Sequence, residues 1–279
     1  MTPGEPLSGL VVYTDRVRIG VYDLATRSET SFTPGAASAG GAGISPSRQI
    51  SWMERPDVFT FRIALYDPRG QRLRQLDFFQ ERTVASSPAF ISRDGVRITW
   101  SADEPVLDFG PRTERVRVVE LARPDDPQRM FEGFTDPAWA GTSGELLMRR
   151  VSDNTLHVRS ATSADLGAIA GVTLQPLTGS YAASPDGNHI AWTAGSTLRM
   201  IDRRDRTQWA AVTDPAGGTF LAVTFSADGR GLVAVLQRGG ASSLVAVAWQ
   251  AGPSVTIDAS SALPGVTFGS FLGRISAAP

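Results

Sequence analysis

The feature that most constrains this chain is an internal repeat of roughly 40 to 50 residues. Each copy holds a short apolar strand, a polar turn and a second apolar strand, and the turn has its clearest form in residues 184–187, Ser-Pro-Asp-Gly. The corresponding positions are Ser45, Ser92, Gly141, Ser184 and Ser226, separated by 47, 49, 43 and 42 residues, and Gly269 follows after another 43. One unit of this size cannot bury its apolar face alone, so the repeat predicts several units packed side by side.

Each copy continues with two further strands. A third apolar stretch ends in an acidic residue, as at Asp23, Asp67, Glu120 and Asp202, and a turn-prone segment and a weaker strand follow it. In the Ser-x-Asp-Gly turn, Ser and Asp side chains bind backbone N–H groups while Gly accepts the positive φ of a tight turn. Four short antiparallel strands per repeat, without helical periodicity, predict the blade of a β-propeller.

The ends of the chain determine the number of blades. Residues 10–13 align with the second strand of the other copies, so the N-terminal copy lacks a first strand, whereas residues 266–268 match an innermost strand. We therefore predict an all-β, six-bladed propeller with four antiparallel strands per blade, closed by pairing of residues 266–268 with residues 10–13. Residues 1–279 are expected to form a single domain, with blade 1 split between about 9–34 and 265–275.

The repeat also resembles a known family. Ser184-Pro-Asp-Gly187 followed by Ile190-Ala-Trp192, with weaker copies at Ser45, Ser92 and Ser226, resembles the repeat of TolB-like propellers, also called PD40 or WD40-like repeats. The similarity covers about residues 9–275, and blade 4 departs most, with Gly141-Thr-Ser-Gly144. The resemblance implies the propeller fold. It also implies a family that includes bacterial periplasmic proteins that bind partner proteins, lipoprotein domains, and the non-catalytic propellers of oligopeptidases. It carries over no catalytic residue.

Composition excludes several classes of function. All 27 basic residues are Arg and there is no Cys, which excludes Schiff-base lysines, Ser-Lys dyads, P-loop lysines, thiol nucleophiles, thiolate metal sites and disulfides.

A net charge of -1 argues against a nucleic-acid partner. No apolar run approaches the about 18 residues of a membrane span, so we expect no direct membrane insertion. Residues 1–8 lack a signal-peptide pattern; we favour a periplasmic or other extracytoplasmic location, with the signal removed, over the cytoplasm.

The sequence offers little for catalysis, and we predict no catalytic residue, metal or cofactor. The two histidines, His157 in a third strand and His189 after a turn, fit ordinary blade positions, and neither a Gly-x-Ser-x-Gly nor a His-Glu-x-x-His motif is present. Asp103, Glu104 and Asp108 could hold calcium but lack EF-hand spacing, so a solvated loop is favoured. A propeller hydrolase or lyase with a site over the central channel, assembled from several blades, stays open as the alternative.

Large aromatic residues recur at one position of the repeat. Trp52, Trp100 and Trp192 occupy it in three copies, and Tyr13 fills it in the split blade. A stacking platform for sugars or bases is one interpretation. Packing between adjacent blades is the favoured one, because a fixed strand position points to the same environment in each copy.

Uneven loop lengths point to one face of the ring. The connections from second to third strand lie at the same end as those between blades. From the second-strand aromatic to the acidic end of the third strand there are 10 residues in blades 1 and 5, but 15 in blade 2 and 20 in blade 3. The mixture of Arg and aromatic residues there is typical of interfaces. The candidate binding residues are Arg55, Asp57, Phe79, Arg82, Asp103, Asp108, Phe109 and Arg112. We predict a protein or peptide partner at this face; tolerated insertions without a role are the alternative.

Overall fold

The fold is a ring of six antiparallel sheets, as predicted. The computed structural model describes residues 7–14, 18–35, 38–54, 60–79, 84–85, 87–105, 112–124, 129–141, 144–161, 165–174, 179–249, 254–268 and 275–279. The strands of blades 1 to 3 are β1 (Leu10–Thr14), β2 (Ile19–Asp23), β3 (Ser28–Phe32), β4 (Ser38–Ile44), β5 (Ile50–Glu54), β6 (Thr60–Tyr66), β7 (Arg72–Phe79), β8 (Val84–Ala85), β9 (Phe90–Ile91), β10 (Arg97–Pro105), β11 (Arg112–Glu120) and β12 (Arg129–Glu132).

The second half of the chain continues the pattern. Its strands are β13 (Phe134–Ala140), β14 (Glu145–Arg150), β15 (Thr155–Ser160), β16 (Asp165–Thr173), β17 (Tyr181–Ala183), β18 (His189–Ala194), β19 (Thr197–Asp202), β20 (Gln208–Thr213), β21 (Thr219–Phe225), β22 (Gly231–Arg238), β23 (Ala241–Ala248), β24 (Val255–Thr256), β25 (Ala262–Phe268) and β26 (Ser276–Ala278). From inside outward the blades are β26-β1-β2-β3, β4 to β7, β8 and β9 with β10 to β12, β13 to β16, β17 to β20, and β21-β22-β23-β25. Thus four strands per blade recur around the ring.

The ring closes with a different strand from the one predicted. β26 pairs with β1, joining Leu10 to Ala278 and Val12 to Ser276, whereas residues 266–268 belong to β25, the outer strand of blade 6. The prediction that residues 266–268 close the ring was therefore wrong. The connection after β23 explains the error, because it first places β24 parallel to β20 of blade 5 and then makes a 3₁₀ turn at Ala259–Ser261. Because of these extra residues, the outer strand of blade 6 begins later in the sequence and falls where the repeat predicts an inner strand.

The core consists of clusters between neighbouring blades. The described residues form six groups of buried apolar side chains, each shared by two adjacent blades. The recurrent aromatic position supplies a fully or almost fully buried side chain to four of them, with Trp52, Trp100, Trp192 and Tyr13 at most 4% exposed. The interpretation of these residues as core is confirmed. Each such burial contributes about 2 to 3 kcal/mol to folding.

The Ser-x-Asp-Gly turns repeat one set of hydrogen bonds. In blade 5 the Ser184 hydroxyl donates to Asp186 Oδ1 at 2.5 Å and accepts from the His189 amide at 2.9 Å, while Gly187 has a φ of 74°. The turns at Ser92 and Ser226 have the same bonds. Burial acts to raise the pKa of Asp186, but the hydrogen bonds from Ser184 and Asn188 outweigh it and lower the pKa to about 2. The motif is thus structural in each of these blades.

Blade 4 departs from the motif where two turns meet. The backbone of Gly141 lies against that of Gly187, and a Cβ on Gly141 would lie 3.0 Å from Gly187 Cα. Both glycines have positive φ. Arg203 joins the same two turns, donating to the Gly187 carbonyl and to Glu145, each at 2.8 Å. Close backbone contact between blades therefore accounts for glycine at position 141.

Candidate functional site

The ring has two chemically different ends. We call the end that carries the turns between first and second strands the turn face, and the end that carries the hairpins between second and third strands the loop face. The candidate binding residues were predicted for the loop face of blades 2 and 3. Of these, Arg55, Asp57, Arg82, Asp108 and Phe109 lie outside the described residues. Phe79 ends β7, Arg112 begins β11, and Asp103 lies on β10 opposite Glu114.

The second hairpin of blade 3 extends furthest in its pairing. β10 and β11 pair at nine successive positions, from Arg97 with Glu120 to Pro105 with Arg112. The equivalent strands of blade 5 pair at six positions and are joined by Gly195 and Ser196 alone. At about 3.3 Å per residue, three extra pairs lengthen the ladder by about 10 Å. The outer part of β10 also pairs with β8, so the inner strand of blade 3 is divided into β8 and β9.

A buried carboxylate lies at the base of the neighbouring loop in blade 2. Glu54, 1% exposed, is the last residue of β5, directly before residues 55–59. It accepts a hydrogen bond from Tyr66 Oη at 2.7 Å and is bonded to the Arg72 guanidinium. Burial, followed by the hydrogen bond to Glu54, raises the pKa of Tyr66 to about 12. Sequence reasoning missed this group, for which the only signal was an acidic residue ending an apolar strand.

On the loop face of blades 4 to 6, Asp and Arg side chains form ion pairs with one another. In blade 6, Arg238 donates to Asp214 Oδ2 from Nε at 3.0 Å, and the Gly218 amide donates to the same oxygen at 2.6 Å. The Arg238 hydrogen bond is the main cause that holds the pKa of Asp214 below its usual range. In blade 4, Arg149 Nη2 lies 2.7 Å from Asp136 Oδ2. The Arg238 pair ties blade 6 to the connection that follows blade 5, the Arg149 pair ties two strands within blade 4, and both leave their carboxylates engaged.

At the turn face, the inner strands enclose a central cavity of about 100 Å³. Its walls come from all six blades and are mainly apolar or aromatic. The lining residues are Ile44, Pro46, Phe90, Ile91, Arg93, Ala138, Trp139, Tyr181, Ala182, Ala183, Thr224, Phe225, Ile275, Ser276, Ala277 and Pro279. Arg93 is the single charged side chain among them. Sequence reasoning treated Arg93 as an ordinary turn residue, because its repeat position gives no sign of the cavity.

The histidines occupy the predicted blade positions. His157 is buried on β15, where its ring meets that of Phe134 edge-on at 5.4 Å. His189 begins β18 and lies 3.6 Å from Asp202 Oδ2, measured from Nε2, with the Trp249 ring 4.8 Å away. Within the described ranges, no group of three or more His, Asp or Glu side chains is arranged to hold a metal ion. The same residues contain no helix with the length and apolar character required to cross a bilayer.

Comparison with known proteins places the chain among propellers. No family model and no curated protein sequence matches it. TolB from Acinetobacter baumannii matches 97% of this chain with a TM-score of 0.59 and 13% identity, over 67% of its own length. The chain thus resembles TolB in fold.

Two further solved structures have comparable similarity. A structure of a nidogen/laminin complex has a TM-score of 0.63 and 12% identity, covering 98% of this chain and 99% of the matched one. The β-propeller domain of Cps50 (Swd1) from Myceliophteria thermophila has a TM-score of 0.55 and 12% identity, covering 92% of this chain and 90% of the matched one. At these identities the likeness supports the propeller fold alone.

Proposed function

We propose that this chain is a non-catalytic interaction module that binds a protein or peptide partner through the loop face of blades 2 and 3. The observation that carries the proposal is the nine-pair hairpin of β10 and β11, which exceeds the six-pair hairpin of blade 5 on the same face. Loops that project from a rigid scaffold are the usual carriers of recognition. We further propose a periplasmic or other extracytoplasmic location, which fractionation of the source cells would test.

Residue types support the same part of the loop face. Carboxylates are paired with Arg on both sides of the ring, as at Asp136 with Arg149 in blade 4 and at Asp77 with Arg62 in blade 2. Blades 2 and 3 add Phe79, Phe109 and Arg112, the residue types that interfaces enrich. Glu54, with Tyr66 and Arg72, provides a fixed base for the adjoining loop. A fixed base beside a loop whose sequence contains aromatic and Arg residues suits a polypeptide partner.

The structural neighbours add a general precedent. One similar chain comes from a nidogen/laminin complex, in which a propeller of this shape assembles with another protein. The precedent concerns the use of the fold and not the identity of the partner. It supports a binding role as one known use of this fold.

Site-specific photo-crosslinking in cells of the source organism tests the proposal. We would place p-benzoylphenylalanine at Phe109 and, separately, at Leu73 and Met130, which are 50% and 51% exposed on outer strands. A discrete adduct with one protein is expected from position 109 and not from the two outer-strand positions. The adduct should be lost when Phe79 and Arg112 are both replaced by Ala, because the contact surface of the partner is removed.

A matched control uses Met130→Ala with Arg204→Ala, which likewise removes one apolar side chain and one guanidinium, both exposed and away from the loop face. This variant should retain the adduct at position 109. Absence of any adduct at position 109, or the same adduct from all three positions, would contradict the proposed face.

A further inference from the structure

The central cavity at the turn face contains a guanidinium for which the described residues supply no direct partner. Arg93 is half-buried and lines the cavity, and no hydrogen bond or ion pair joins it to any residue that the structure describes. Asp186 acts on it only through its field and already accepts hydrogen bonds from Ser184 and Asn188. The main-chain oxygen of Pro279 at the same cavity is taken by Arg48 Nε at 2.8 Å. Among the described residues, this partly desolvated cation therefore lacks a directly bonded counter-ion.

The walls around Arg93 define what could compensate it. Aromatic side chains line the cavity in four blades, at Phe90, Trp139, Tyr181 and Phe225. The polar atoms of two of them are already occupied, since Trp139 Nε1 donates to the Phe90 carbonyl at 2.8 Å and Tyr181 Oη donates to the Asp136 carbonyl. The walls therefore offer apolar contact around a single charged side chain, and the hydroxyls of Thr224 and Ser276 are the neutral polar side-chain groups that complete the lining.

We propose that this cavity binds a carboxylate carried on a small apolar group, with Arg93 as its counter-ion. A planar carboxylate matches the fork of one guanidinium, whereas a phosphate dianion would keep one negative charge unneutralised by this single cation. An apolar cavity of about 150 Å³ holds benzene. The cavity here, at about 100 Å³, is smaller but opens to solvent beside the exposed Pro279, so it would hold a short aliphatic chain or part of one ring. The carboxylate can belong to a free small molecule or to the C-terminal residue of a peptide.

Titration followed by the tryptophan indole N–H signals tests this site directly. The chain has 6 Trp, so the indole spectrum is simple, and Trp139 lines the cavity whereas Trp209 and Trp249 lie at the boundary of blades 5 and 6. Benzoate at millimolar concentrations should shift the Trp139 signal in a saturable manner and leave those of Trp209 and Trp249 unchanged. Benzamide, which is similar in shape but neutral, should bind about tenfold more weakly or worse.

Substitution of Arg93 completes the test. Arg93→Gln removes the charge without breaking a hydrogen bond to any described residue. The melting temperature should therefore be retained, while the protein loses its preference for benzoate over benzamide. Arg230→Gln, a turn-face change in the same repeat motif but away from the cavity lining, should leave that preference intact. Equal binding of benzoate and benzamide to the unmodified protein, or no shift at Trp139, would overturn the proposal.

Peptide probes distinguish the two sources of the carboxylate. N-acetyl-Gly-Gly-Phe and its C-terminal amide would be titrated in the same way. Tighter binding of the free-acid peptide than of benzoate assigns the site to a polypeptide terminus, and tighter binding of benzoate assigns it to a small molecule. Because neither titration involves the loop face, the result is independent of the photo-crosslinking at position 109.

Discussion

The two faces of the ring differ in how strictly they repeat. At the turn face, blades 3, 5 and 6 form the same hydrogen bonds between a Ser hydroxyl, an Asp carboxylate and the backbone. At the loop face, the hairpins of blades 3 and 5 differ by three residue pairs and by the length of their connection. The turns repeat because each one joins an inner strand to its neighbour and so makes the blade. Hairpins that project beyond the core are free to vary, and their variation can carry recognition.

Both faces depend on a closed ring, so removal of the closing strand should have the largest effect. Deleting residues 275–279 removes the pairing of β26 with β1, the burial of Ile275 and Ala278, and the hydrogen bond from the Ile44 amide to Ser276. We expect a loss of about 3 kcal/mol or more in the free energy of unfolding, measured by urea denaturation. Deleting Pro279 alone is the control and should cost about 1 kcal/mol. Equal stability of the two truncated chains would refute closure by β26.

The contrast between faces is sharpened by two glycines in blade 5. Gly187 at the turn face and Gly195 at the loop face have φ values of 74° and 65°. A Cβ on Gly187 would lie 3.1 Å from Gly141 Cα, whereas nothing lies within 4 Å at Gly195. Replacement by Ala should cost about 1 to 2 kcal/mol at Gly195 from backbone strain alone, and about 1 kcal/mol more at Gly187. Equal losses in urea denaturation would show that the contact between turns contributes nothing.

Acid should weaken the turn face through its aspartates. The folded pKa of Asp186, about 2, lies below the ordinary value of about 3.9, so its contribution to stability is present above about pH 4 and is lost as the pH falls toward 2. Asp94 and Asp228 are shifted in the same direction. Asp186→Asn should therefore be less stable than the unmodified protein at pH 7, with a smaller difference at pH 2. A difference in melting temperature that does not change with pH would argue against this role.

Substitution in the turn of blade 2 should change the stability least, because relief of backbone strain opposes the loss of a hydrogen bond. Ser47 and Arg48 replace the Asp and Gly of the motif, so Arg48 adopts a φ of 60°, and its Nε binds the Pro279 carbonyl. Arg48→Gly relieves strain of about 1 to 2 kcal/mol but loses a hydrogen bond worth about 1 kcal/mol, giving a small net change. In a chain lacking Pro279, the same substitution should become clearly stabilising in urea denaturation. The same change in both backgrounds would mean that the contact has no energetic role.

Sequence reasoning was strongest where local chemistry determines the structure. The repeat, the Ser184 turn and the buried position of Trp52, Trp100 and Trp192 all follow from residue types at a fixed spacing. It failed at β25, because inner and outer strands have similar apolar patterns and the detour through β24 has no repeat signature. Arg93 was missed for a related reason. A cavity at the ring axis is made by residues from six blades, which spacing within one blade does not reveal.

The measurement that bears most directly on the proposed loop face is to shorten the hairpin of blade 3. Replacing residues 106–111 by Asn-Gly should retain the β10–β11 ladder, because this dipeptide favours a two-residue hairpin, and the melting temperature should stay unchanged. With the photo-crosslinker moved to Phe79, the partner adduct should disappear in the shortened protein but persist when Gly195 and Ser196 of blade 5 are exchanged for the same dipeptide. An adduct retained by a folded, shortened protein would contradict the assignment of binding to this hairpin.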